Sequence, residues 1–120
     1  MQKVKIDWLA TGQAIDYLLK CVKTSKVKFD GVYGVPRGGL PLAIAMSHHL
    51  KIPLLVYPTE NCLVCDDISD TGKTLQNMKH KKIACLYTSL WTKTKPDYAW
   101  GVKTIKRSWL IFPWEDQDNE

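Results

Sequence analysis

From Leu63 to Leu75 the chain reads LVCDDISDTGKTL, and no other stretch constrains the fold as much. An apolar strand delivers two adjacent carboxylates, Asp66 and Asp67, at its end. Neighbouring like charges repel unless something offsets them. Ribose hydroxyls or a hydrated Mg²⁺ are natural partners, since both engage anionic oxygen. Three residues later Asp70-Thr71-Gly72-Lys73-Thr74 leads into a short helix predicted from Lys73 to about His80. Backbone N–H groups at a helix start, two hydroxyls and a glycine together form a phosphate cradle. The same residues would also serve a plain turn and helix cap. A Walker P-loop needs a glycine five residues before the glycine of GKT. Position 67 is Asp, so that motif is excluded.

Around this stretch, strands and helices alternate. The apolar positions Ala14, Ile15, Leu18, Leu19 and Val22 predict a helix from Trp8 to about Lys23, with Thr11 as a possible N-cap. Phe29–Val35 predicts a buried strand, interrupted by Pro36-Arg37-Gly38-Gly39, and a second helical pattern runs from Leu40 to Leu50. Pro53–Tyr57 and Cys62–Asp66 read as strands separated by Pro58 to Asn61, and Ile83–Tyr87 and Tyr98–Val102 as two more. Strands that are near-continuous apolar runs, alternating with helices, imply an α/β fold with a mainly parallel sheet covered on both faces. Ligands bind beyond the carboxyl ends of such strands. The PRGG loop and the DDISDTGKT loop both fall at that edge.

With 120 residues, 45% hydrophobic and 24% charged, the chain is expected to form one globular domain. No apolar run approaches the roughly 20 residues that cross a bilayer. The amino terminus lacks the pattern of an export signal, so the four cysteines are expected to be reduced thiols in a cytoplasmic protein. Residues 115–120 hold four acidic groups and no basic one; residues 1–114 carry 17 basic against 8 acidic groups, a net +9. Such a body favours anionic partners. It lacks the aromatic-basic interleaving of a dedicated RNA surface, so nucleic acid is not the expected partner.

LVCDDISDTGKTL resembles the thirteen-residue PRPP-binding motif of type I phosphoribosyltransferases. Val35-Pro36-Arg37-Gly38-Gly39 resembles the family's pyrophosphate loop, and Trp109-Leu110-Ile111-Phe112-Pro113-Trp114-Glu115 its carboxyl-terminal hood. The hood is most similar to small xanthine-guanine and hypoxanthine phosphoribosyltransferases. The resemblance implies a Rossmann-like fold: a single domain over residues 1–114, its hood at about 103–114, followed by an acidic tail at 115–120. It implies transfer of the phosphoribosyl group from PRPP to guanine, xanthine or hypoxanthine, as in purine salvage. Asp66 and Asp67 would then bind the PRPP ribose and, with Glu115, organise Mg²⁺. Asp70, Thr71, Gly72, Lys73 and Thr74 would hold the 5-phosphate, and Asp70 would exchange a proton with purine N7. Arg37 and the amides around Gly38 would hold pyrophosphate, with a non-proline cis peptide before Arg37. Trp109 would stack on the base and Leu110 read its edge. A homo-oligomer, dimer or tetramer, is implied as well.

Two features depart from the family pattern. A mobile loop between the second and third strands usually closes over PRPP, and here only Pro58-Thr59-Glu60-Asn61 stands there. Weak or absent turnover in a protein that binds PRPP or a nucleotide is therefore the alternative expectation. Enzymes for 6-oxopurines also place a lysine just after the strand matching IACLY. Here Thr88-Ser89 follow it, and Lys93, ahead of Lys95, is the lysine expected to reach the base. Cys62 and Cys65 lack a second ligand pair at zinc spacing and are expected in the core. His48-His49 and the run Lys79-His80-Lys81-Lys82 are expected on the surface.

Overall fold

The computed structural model describes residues 1–115. The elements follow as β1 (Gln2–Lys5), α1 (Trp8–Ser25), β2 (Val32–Gly34), α2 (Leu40–Leu50), β3 (Leu54–Leu55), β4 (Leu63–Ser69), β5 (Lys82–Ser89), β6 (Tyr98–Lys103) and β7 (Ser108–Ile111). A 3₁₀ turn at Gln76–Met78 stands between β4 and β5. The expected α/β fold is present: β3-β2-β4-β5-β6 form one sheet, and every neighbouring pair in it is parallel. All its carboxyl ends therefore point to one edge.

The apolar stripe of α1 buries Ala14, Leu18, Leu19 and Val22, and α2 adds Leu42, Ala43 and Met46. Both helices pack on Val32, Leu63, Cys65, Ala84 and Leu86. The opposite face holds Cys62, Val64, Ile83 and Cys85 against Val35 and Leu75, with Met78 alongside. The two faces are thus covered unequally, by two helices on one and by the connection after β4, with Leu75 and Met78, on the other. Cys62 and Cys65 lie in these two different clusters as free thiols, as expected of core residues, and burial pushes the Cys65 thiol up.

Several boundaries differ from expectation. The N-cap of α1 is Asp7, whose carboxylate accepts from the Ala10 N–H at 2.8 Å, whereas Thr11 is buried inside the helix. An Asp ahead of the first turn competes well for that role. No α-helix forms over 73–80. The segment is too short to repay helix nucleation, and the chain reaches β5 after one 3₁₀ turn. The strand carrying the acidic pair runs on to Ser69, past the predicted end at Asp66.

The hood is built from both ends of the described chain. β1 pairs in parallel with β7, Lys3 opposite Trp109 and Val4 opposite Leu110. The Ile6 N–H then donates to the Ile111 carbonyl at 2.8 Å. Aromatic rings continue the connection into the sheet: Phe112 stacks on Trp114 at 5.2 Å and meets Tyr87 at 5.9 Å. Trp8 at the start of α1 lies 6.0 Å from Trp114. Of the 115–120 tail, only Glu115 is among the described residues.

Candidate functional site

At the carboxyl edge of the sheet lies a cavity of about 370 Å³. Its size falls within the ordinary range for small-molecule sites. One wall is the end of β4 with Asp66 and Asp67. The floor is the loop Asp70, Thr71, Gly72 and Thr74, Gly38 approaches from the loop after β2, and Trp109, Leu110, Phe112 and Glu115 form the hood side. The fold thus brings together residues that lie more than 70 positions apart.

The acidic pair is held by its own backbone. Asp66 Oδ1 accepts from the Asp67 N–H at 2.9 Å, and Asp67 Oδ1 from the Ile68 N–H at 2.7 Å. Asp66 is 7% exposed. Burial, reinforced by the charge of Asp67, pushes its carboxyl up to about 8. Two carboxylates side by side in apolar surroundings are costly, and a divalent ion would offset that cost. Mg²⁺ is commonly held in that way, by one or two carboxylates. Glu115 borders the cavity on the hood side, and its Oε1 accepts from the Phe112 N–H at 2.8 Å and closes the hood turn. Among the described residues no three His, Cys, Asp or Glu side chains gather as a ligand cluster.

The loop after β2 approaches closely because it can. The Pro36–Arg37 peptide is cis, as the resemblance implied. Gly38 abuts the Asp67 carboxylate, and a Cβ on Gly39 would overlap the Cys65 carbonyl oxygen. Arg37 itself is exposed at the rim, and so is Lys73, with its side chain outside the cavity wall.

Asp70 is gripped on three sides. Its Oδ1 accepts from Trp91 Nε1 at 3.0 Å, its Oδ2 lies 2.8 Å from Lys103 Nζ, and its carbonyl accepts from Ser89 Oγ. The Lys103 side chain is 5% exposed, lines the cavity, and lies 5.7 Å from the Trp91 ring centroid. Lys93 is not brought to the site: its side chain is exposed and its backbone N–H is spent on the Thr71 carbonyl at 3.0 Å. The lysine of the cavity is Lys103 instead. The chain after β5 folds back against the 70–74 loop with Lys93 outward, and β6 then returns Lys103 to the ligand edge. The signal in the sequence was a lysine directly after the strand pattern Tyr98–Val102. Trp109 is 53% exposed, a ring open on one side.

Pro58–Asn61 lies away from the cavity. Thr59 Oγ1 donates to Asp30 at 2.6 Å, the Thr59 carbonyl accepts from Lys81 Nζ at 2.6 Å, and the Asp30 N–H donates to the Asn61 carbonyl at 3.2 Å. Those partners precede β2 and β5, so the turn sits at the amino-terminal edge of the sheet.

By sequence the chain matches no protein-family model and none of the curated proteins. Among solved structures it is similar to a purine phosphoribosyltransferase from Pyrococcus horikoshii Ot3. The two share 33% identity over 97% of this chain and 96% of that one, with a TM-score of 0.81. A xanthine-guanine-hypoxanthine phosphoribosyltransferase of Helicobacter pylori shares the fold at 19% identity, 95% and 94% coverage and a TM-score of 0.79. So does a hypothetical protein from Neisseria gonorrhoeae with bound ppGpp, at 18% identity, 98% and 91% coverage and a TM-score of 0.75.

Proposed function

The chain belongs to the type I phosphoribosyltransferase family, and from that premise we propose that it transfers the 5-phosphoribosyl group of PRPP to a 6-oxopurine. The products would be the nucleoside 5′-monophosphate and pyrophosphate. One observation carries this reading: the acidic pair Asp66–Asp67, the loop Asp70–Thr74 and the open ring of Trp109 border a single cavity.

In this reading Asp66 and Asp67 would hold the ribose hydroxyls and would be the residues that hold Mg²⁺. The ion's chemistry is to offset charge on the leaving group. Thr71, Gly72 and Thr74 meet the 5-phosphate, and the backbone at Gly38 meets the pyrophosphate, with Arg37 at the rim supplying positive charge. As the C1–oxygen bond to pyrophosphate breaks, the purine N9–C1 bond forms and the proton on N7 passes to Asp70. Trp91 and Lys103 keep that carboxylate aimed at the base. Fixed donors and charges of this kind act in the transition state without reorganising. Stacking on Trp109 holds the ring in line with C1, so that attack is intramolecular in effect. The Lys103 ammonium, beside Asp70 in the cavity wall, would then meet the oxygen at C6 of the purine. Incubation with PRPP, Mg²⁺ and guanine, xanthine, hypoxanthine or adenine tests this: nucleotide should form with the first three and not with adenine. No nucleotide with any base at high enzyme concentration would overturn the reading.

A second reading is that the chain binds PRPP or a nucleotide and turns it over poorly. Two observations favour it. The Pro58–Asn61 turn is tied down at the far edge of the sheet and shields nothing, while excluding water is part of how such reactions are made efficient. The Neisseria protein of the same fold carries a nucleotide, ppGpp. Calorimetric binding of PRPP or a guanine nucleotide without product would select this reading.

A further inference from the structure

The connection between β5 and β6 lies behind the 70–74 loop, and the Thr94 hydroxyl is committed to that loop. Thr94 Oγ1 donates to the Gly72 carbonyl at 2.7 Å, and Ser69 Oγ donates to the Thr94 carbonyl at 2.6 Å. Thr92 Oγ1 lies 2.8 Å from the same Ser69 hydroxyl. The Lys93 N–H donates to the Thr71 carbonyl at 3.0 Å. Ser69 and Thr94 are 1% and 3% exposed. The contact is close: Gly72 has φ +86°, and a Cβ there would stand 2.5 Å from the Thr94 nitrogen.

The direction of these bonds matters. In a planar trans peptide the carbonyl and the following N–H point opposite ways. Drawing the Thr71 and Gly72 carbonyls back onto Thr92–Thr94 therefore turns the N–H groups of Gly72 and Lys73 forward, away from that connection. The Lys73 N–H donates to Thr71 Oγ1 at 3.3 Å within the loop, a long bond that a phosphate oxygen would replace. Thr71 and Gly72 line the cavity, whereas Thr92, Lys93 and Thr94 do not.

We propose that Thr94, seated by Ser69 and Thr92, is a positioning residue that fixes the Gly72–Lys73 peptide and so presets the amide edge of the phosphate loop. It does before the ligand arrives what a closing loop would do on binding, and a preorganised loop binds more tightly than one ordered by its ligand. This role rests on the phosphoribosyl reading of the cavity. It touches no reacting atom and acts through Gly72 alone.

Thr94→Val removes the hydroxyl and keeps the shape; Thr94→Ser keeps the hydroxyl. Calorimetry with PRPP and Mg²⁺ should show Kd raised about tenfold or more in Thr94→Val and within about threefold of the unaltered chain in Thr94→Ser, a tenfold change being 1.4 kcal/mol. The KM for the purine should stay within about twofold, a split that general loosening of the fold would not give. Amide hydrogen exchange across residues 70–74 should rise in Thr94→Val and not in Thr94→Ser. Ser69→Ala, which unseats Thr94, should move both readouts in the same direction and provides the test if Thr94→Val fails to fold. Equal losses in the valine and serine variants would overturn the proposal, as would unchanged PRPP binding in Thr94→Val. If the unaltered chain binds PRPP without turnover, the transferase reading fails and this proposal stands or falls on the binding ratio. If it binds no PRPP, the phosphoribosyl reading fails, and unchanged exchange in Thr94→Val overturns the preset loop too.

Discussion

Gly38 and Asp67 face each other so closely that a Cβ on the glycine would overlap the carboxylate. The loop after β2 and the end of β4 therefore meet through the smallest possible side chain. A carboxylate can swing aside, so Gly38→Ala should change stability by less than about 1 kcal/mol while displacing Asp67. PRPP-dependent turnover should drop about tenfold or more. Gly39 provides the contrast, because its Cβ would meet the backbone of Val35, Cys65 and Asp66. Gly39→Ala should cost about 3 kcal/mol or more. Urea unfolding of the two variants measures the difference; equal stability losses would contradict the geometry.

The acidic pair makes stability depend on pH in an unusual direction. Asp66 is raised to about 8 in the folded chain by burial and by Asp67, against about 4 when unfolded. Between those values the folded state keeps a proton that the unfolded state has lost. Metal-free stability is therefore highest below about pH 4 with respect to this group, and falls as pH rises through the window to about 8. The total is on the order of a few kcal/mol. Unfolding at pH 5.5 and pH 8 should show the fall, Asp66→Asn should abolish most of it, and Asp67→Asn should reduce it. Stability that rises across that interval, in the absence of Mg²⁺, would rule this out.

Asp70 and Lys103 are joined at 2.8 Å, but they are buried to different degrees, the lysine side chain 5% exposed and the aspartate side chain 33%. Removing the carboxylate strands a buried ammonium, which typically costs about 3–5 kcal/mol. Removing the ammonium leaves a carboxylate that water and Trp91 still serve. Asp70→Ala should thus be more destabilising than Lys103→Met, by about 2 kcal/mol. The double variant should recover much of the loss in stability and none in turnover. Equal costs for the two single variants would show that burial does not govern the pair. Lys93→Ala, at an exposed position, should change neither property.

The open face of Trp109 belongs to the base. Trp109→Ala should raise the KM for the purine about tenfold, in line with about 1–3 kcal/mol for stacking a base on an aromatic ring, and leave PRPP binding within about twofold. Initial rates with each substrate varied separately decide this. A larger effect on PRPP than on base would misplace the base.

Much of this was legible in the sequence because the chemistry is local there. The acidic pair, the glycine loop and the hood each announce themselves within thirteen residues or fewer, and the helices follow from their apolar spacing. What stayed hidden depends on contacts across the chain. Gln2–Lys5 is short and mostly polar, and it becomes a strand only because β7 lies beside it. Lys103 gains its role from the topology that carries the end of β6 to the cavity, and Thr94 from a loop packed behind another loop. The predicted 73–80 helix failed for the opposite reason: a local pattern was present, but it was too short to repay the cost of helix nucleation.

The transferase reading is tested most directly by a single-turnover experiment, with enzyme in excess over PRPP and saturating Mg²⁺ and guanine, xanthine or hypoxanthine. The expected result is one nucleotide and one pyrophosphate per PRPP consumed, with none of either when the base is left out. PRPP that binds saturably, yet is recovered intact with all three bases, would contradict it.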